Sequence, residues 1–159
     1  MKSKTFSSLM KILVLIATIG GLFICIFAVP DLGKSIVSSY PEFSSWYWPW
    51  LIFVWVVAIP CFILLVYVWK VSDCVKNETV FTIETSKMVR AGVILLLVDA
   101  ALLFVGNIIL LLLSMNHPGV VLLSIVIAVV EVVVALFGEI VYQYLIKAAI
   151  LKEESEGTI

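Results

Sequence analysis

Charge is what this sequence has least of. Lys, Arg, Asp and Glu make up 13% of the 159 residues, about half the share usual in a soluble domain. Histidine occurs once, at His117, and cysteine three times, at Cys25, Cys61 and Cys74. With a net charge of −1 there is no electrostatic basis for a direct nucleic-acid partner. No P-loop, GxSxG, HExxH or CxxC is present. The polar segments hold no nucleophile or base with an orienting partner in reach. These absences argue against an enzyme and against a resident cofactor. The cysteines are odd in number and match no metal-ligand spacing, so they read as small buried hydrophobes rather than as a disulfide framework or a metal site.

Apolar residues are what remains: 64% of the chain, with a mean hydropathy of +1.23. That is more apolar surface than one small core can hide, so lipid must cover the rest. A bilayer core of ~30 Å needs about 20 apolar helical residues to cross it. Four runs meet that length, at about 12–29, 50–69, 91–113 and 120–141. They predict an all-α membrane protein with four transmembrane helices in one domain, 1–159. A connection rich in Ser, Pro and aromatics follows the first span at 30–49, a linker lies at 70–90, and a tail at 142–159. Ser114–Gly119 is short and ends in Pro118-Gly119, so the last two spans form an antiparallel hairpin.

Orientation follows from the basic residues in the short loops. Lys2, Lys4, Lys11, Lys70, Lys76, Lys87, Arg90, Lys147 and Lys152 fall on one side and only Lys34 on the other. Both termini and the 70–90 linker are therefore expected in the cytoplasm, in a multi-pass protein of the bacterial cytoplasmic membrane. Tyr40, Phe43, Trp46, Tyr47, Trp48 and Trp50 mark the outer interface, and Tyr67, Trp69, Tyr142 and Tyr144 the inner one. Phe27-Ala28-Val29 is a poor cleavage site, so the first span reads as a retained helix rather than a signal peptide. The Asn77-Glu78-Thr79 glycosylation pattern lies on the cytoplasmic side and reads as accidental.

Three carboxylates enter the spans: Asp99 in the third, Glu131 and Glu139 in the fourth. An ionised carboxylate at mid-membrane costs at least ~3 kcal/mol on insertion scales. A hairpin turning at Asn116–His117 sets Asp99 level with Val134, between the two glutamates. Ala128, Glu131, Ala135, Gly138 and Tyr142 share one face of the fourth span. Gly92, Asp99 and Gly106 recur every seven residues in the third, with Asn107 adjacent. Asp99, Asn107, Glu131 and Glu139 thus form a candidate polar seam within the hairpin. It reads either as a proton or cation site or as hydrogen-bonded packing. The first two spans read mainly as lipid-facing anchors, with Pro60 a kink and Gly20-Gly21 a close-packing contact. His117 at the outer turn reads as a polar interfacial residue, with metal or haem ligation the alternative.

On the cytoplasmic side, Thr82 has the residue type of a helix N-cap and Glu84 suits the first turn of the third helix. The fourth helix meets no Pro or Gly between Gly138 and Gly157, so it should run to about Glu154. The Phe81-Thr82 start and the Lys152-Glu153-Glu154-Ser155-Glu156-Gly157-Thr158-Ile159 ending resemble the YoaS-like family of small four-span bacterial membrane proteins, whose function is uncharacterised. The resemblance implies no catalytic residues. It implies a membrane partner for a small helix-turn-helix DNA-binding regulator, since such genes often neighbour the family. Lys152, Glu153, Glu154 and Glu156 are the candidate docking residues. A solvated, frayed helix end is the plain alternative. The leading expectation is a non-enzymatic membrane sensor or regulator. Alternatives are a small transporter or channel subunit working through the intramembrane carboxylates, and an immunity-type protein against a peptide toxin. The polar seam and small-residue faces lean the expectation toward a homo-oligomer.

Overall fold

The computed structural model describes residues 2–157, the side chain of Lys2 excepted; the Thr158-Ile159 end of the resemblance lies outside the described residues. Helix α1 (Lys2–Phe23) passes through one wide π turn (Ile24–Ala28) directly into α2 (Val29–Ser39), so that these form one rod. A 3-10 turn (Pro41–Trp46) leads to α3 (Tyr47–Lys76), followed by α4 (Ile83–Leu112) and α5 (Pro118–Glu156). The described residues contain four helical stretches long and apolar enough to cross a membrane.

The first helix does not stop at Pro30. A proline ring clashes with the carbonyl four residues back and offers no N–H. The π turn absorbs that misfit: the Val29 N–H reaches the Ile24 carbonyl, five residues back. At the same pitch the Cys25 carbonyl would look to the N–H that Pro30 lacks. Trp55 Nε1 donates to that carbonyl instead, at 2.9 Å. Of the 30–49 connection, the stretch to Ser39 is therefore helix, and only the segment around the 3-10 turn reverses the chain. Pro60 lies inside α3, which is continuous across it.

The helices pack in chain order, α1 on α3, α3 on α4 and α4 on α5, with no comparable contact among the described residues closing α1 onto α5. Each neighbouring pair is antiparallel. At one end Ser7 Oγ donates to the Ser72 carbonyl at 2.8 Å, Ser72 Oγ donates to the Ser7 carbonyl at 2.9 Å, and Lys11 pairs with Asp73. Two buried serines exchanging bonds across two helices fix register without a net charge. Of the Gly20-Gly21 pair only Gly21 meets a neighbour, the Phe62 ring.

Glycine sets the α3–α4 distance. Gly92 faces Leu64 and Gly106 faces Phe53, each too closely to admit a Cβ without movement. The seven-residue stripe Gly92–Asp99–Gly106 thus faces α3, where the sequence placed it in the hairpin seam. The α4–α5 contact uses small residues on α5 instead. Ala128 packs with Ala100, Leu103 and Val57, Ala135 with Val93 and Leu96, and Gly138 against Val93. Helix α3 packs against both α1 and α4, but like α1, with its exposed apolar side chains from Leu9 to Phe27, it keeps a lipid-facing side, exposed from Ile52 to Val66.

The two ends of the molecule differ in chemistry. Lys4, Lys11, Lys70, Lys76, Lys87, Arg90, Lys147 and Lys152 lie toward the end where the N terminus, the α3–α4 linker and the α5 C terminus meet. Tyr40, Phe43, Trp46, Tyr47, Trp48 and Trp50 gather at the other. We call these the basic and aromatic ends. At ~1.5 Å per residue, the 39 residues of α5 extend roughly 58 Å, against a ~30 Å hydrocarbon core. Its last turns stand clear of lipid.

Candidate functional site

Three helices meet at one polar point. Cys61 on α3, Asp99 on α4 and Glu131 on α5 each lie just under four turns from the aromatic end of their helix, roughly 20 Å along it. Their Sγ, Oδ and Oε atoms lie within 4.8 Å of one another. Cys61 Sγ donates to Asp99 Oδ2 at 3.1 Å. Asp99 is 1% exposed, yet its Oδ1 has no hydrogen-bond partner, and the buried Oε2 of Glu131 has none. Buried polar atoms are nearly always paired, so two orphaned carboxylate oxygens within one cluster are unusual.

The local sequence explains the convergence. Phe53, Val57 and Leu64 lie on the same α3 face as Cys61 and fix it against Gly106, Ala100 and Gly92. On α5, Ala128 and Ala135 flank Glu131 by roughly one turn each and draw the helix close enough for its carboxylate to reach α4. Of the trio, Asp99 is almost wholly buried, whereas Cys61 and Glu131 are each only partly so. Toward the basic end the trio borders a crevice of about 230 Å³ lined by Leu64, Leu96, Val134 and Gly138 among others. Leu64, Leu96 and Val134 each lie one turn from Cys61, Asp99 and Glu131 respectively.

Of the four residues expected in the polar seam, the structure brings two together. Asp99 and Glu131 meet. Glu139 lies two turns further along α5, half-exposed, where it accepts from Gln143 Nε2 at 2.7 Å. Asn107 belongs to the aromatic end: it donates to the Leu103 carbonyl at 2.8 Å and accepts from Asn116 Nδ2 at 2.7 Å. That pair closes the hairpin from inside. The hairpin register also differs from the expected one. Val93 lies against Gly138 and Arg90 over the Tyr142 ring, so Asp99 falls level with Val132–Val133, one or two residues from the expected Val134.

Cys61 is the member that sequence reading missed. It reads as a small hydrophobe in an apolar run, but its thiol is a donor to a buried carboxylate. The only signal was its position near the middle of a span. His117 has a structural part: its Nδ1 accepts from the Gly119 N–H at 3.0 Å, capping α5, and its ring packs 4.8 Å from that of Tyr40. Thr82 caps α4 through the Thr85 N–H at 3.2 Å.

At the basic end, α5 continues unbroken to Glu156. Lys152, Glu153, Glu154 and Glu156 are exposed on its last turns, with Lys152 and Glu156 at 3.8 Å across one turn. Such an exposed pair contributes little to stability.

The architecture defines a helical, multi-pass membrane protein in contact with the lipid bilayer, with a polar point inside its helical bundle. Residues 31–159 match the family described as "Protein of unknown function (DUF2975)", and the chain belongs to that family. The match includes Cys61, Asp99, Glu131 and the α5 tail, and leaves α1 outside. No curated protein and no solved structure matches the chain.

Proposed function

We propose that this chain is a non-enzymatic sensor of the bacterial cytoplasmic membrane. In this reading the Cys61–Asp99–Glu131 point is its input and the basic end its output. The observation that carries it is the continuity of α5. Glu131 and the exposed Glu153, Glu154 and Glu156 lie on one helix without a break, so a shift at the polar point moves the tail as a rigid body. The excess of Lys and Arg at the basic end supports placing that end in the cytoplasm. There the tail offers carboxylates to a basic partner of the small helix-turn-helix kind that the sequence resemblance implies.

The test is co-purification of such a regulator with the full chain in detergent. It is expected to be retained by the intact protein and by Glu131→Gln, and lost when residues 152–159 are removed. Retention by the truncated chain would refute tail docking.

A second reading, a small cation transporter, is favoured by the two unpaired carboxylate oxygens. It predicts that proteoliposome flux is abolished by Glu131→Gln and indifferent to loss of the tail, the opposite pattern.

A further inference from the structure

We infer that Cys61, Asp99 and Glu131 form an intramembrane binding site for a zinc-class divalent metal ion. The inference rests on reading this trio as the sensing site and names what it senses. Three potential ligand atoms, one sulfur and two carboxylate oxygens, come from three different helices and lie within 4.8 Å of one another. Zinc bonds of about 2.3 Å to sulfur and about 2.0–2.2 Å to oxygen hold neighbouring ligands somewhat closer than that.

The second observation is the unmet demand for positive charge. Asp99 belongs to the cluster and is almost fully buried with its Oδ1 unpartnered, and the buried Oε2 of Glu131, a member of the same cluster, is unpartnered too. Among the described residues no Lys or Arg reaches them: Arg90 lies over Tyr142 and Lys11 pairs with Asp73, both nearer the basic end. A divalent ion would satisfy both oxygens at once. The donor set selects among ions. Calcium takes six to eight oxygen ligands and magnesium keeps several waters, whereas a thiolate with two carboxylates suits a borderline ion of zinc type. Three protein ligands leave a fourth position for water. Binding replaces the S–H bond of Cys61 by a sulfur–metal bond and releases that proton to solvent, with no change of oxidation state. The ion thereby ties α3, α4 and α5 together at one level, which is how its presence would reach the α5 tail.

The test uses the full chain, purified in detergent, stripped with chelator and titrated with Zn²⁺ and, as an optical probe, Co²⁺. The expected result is one ion per chain and a thiolate-to-cobalt charge-transfer band. Cys61→Ala should abolish that band. Glu131→Gln should weaken binding by at least about tenfold, the scale set by loss of even an outer partner of a metal ligand. Cys61→Ala removes one sulfur atom together with its hydrogen bond to Asp99 Oδ2; its fold, followed by circular dichroism, keeps the test valid if Glu131→Gln fails to assemble. The inference is overturned if no ion binds, as in a site that holds only protons, or if Cys61→Ala binds Co²⁺ with an unchanged spectrum. Either result leaves co-purification of the cytoplasmic partner unaffected, so failure of the metal site and failure of tail docking are read separately.

Discussion

Glu131→Met is expected to stabilise the metal-free protein while destroying its polar site. Glu131 Oε2 is buried with no hydrogen-bond partner, and leaving a buried polar atom unsatisfied costs about 1–3 kcal/mol. Methionine has similar length, no polar oxygen, and enough flexibility to fill the space between Ala128 and Ala135. In chelator, the variant should therefore resist heat or denaturing detergent better than the native chain by about that amount. The opposite outcome is informative. If Glu131 served only as packing glue through hydrogen bonds, its replacement would lower stability. Asp99→Leu should gain less, because it also strips the acceptor from the Cys61 thiol. A group that lowers stability where it stands is one whose retention calls for a functional reason.

Gly106→Ala is expected to destabilise the bundle by about 1–3 kcal/mol through overpacking. A Cβ at this position would collide with the Phe53 ring, forcing α3 away from α4 close to the trio. The cause is testable by rescue. Phe53→Ala alone leaves a cavity, but combined with Gly106→Ala the total cost should fall short of the sum by about 1 kcal/mol or more, since the two side chains compete for one space. Gly20→Ala is the control. Nothing lies near its added methyl group, and alanine favours a helix over glycine by about 1 kcal/mol, so this change should be neutral or stabilising. Equal losses at Gly20 and Gly106 would show that the α3–α4 distance does not depend on glycine.

These two expectations also mark how far the sequence could be read. The four apolar runs, the bias of Lys and Arg, and the aromatic cluster after Pro30 were enough to specify helices, their number and their two unlike ends. Membrane helices advertise themselves by composition, and composition survives without knowledge of packing. Which faces meet is another matter. In a chain this apolar, every face of α3 looks alike, so the face bearing Phe53, Val57, Cys61 and Leu64 carries no period that separates core from lipid. Asp99 and Glu131 stood out because carboxylates are rare in such surroundings. Cys61 did not, because a thiol in an apolar run has no such contrast and its partner is 38 residues away. Asn107 was grouped with Asp99 by proximity in sequence, yet two turns of helix separate them and Asn116 claims it. The helix through Pro30 was hidden for a local reason: a proline reads as a stop, and only the π turn with Trp55 on its orphaned carbonyl lets the rod continue.

The claim on which all else depends is that Cys61, with Asp99 and Glu131, is buried in the membrane between an external aromatic end and a cytoplasmic basic end. Single-cysteine variants treated in intact bacterial cells with a membrane-impermeant maleimide test it directly. Ser45→Cys, exposed at the aromatic end, should be labelled in intact cells. Asn77→Cys, exposed at the basic end, should react only after the membrane is permeabilised, and Cys61 in neither condition. Labelling of Asn77→Cys in intact cells, or reaction of Cys61 as fast as either introduced cysteine, would contradict the account.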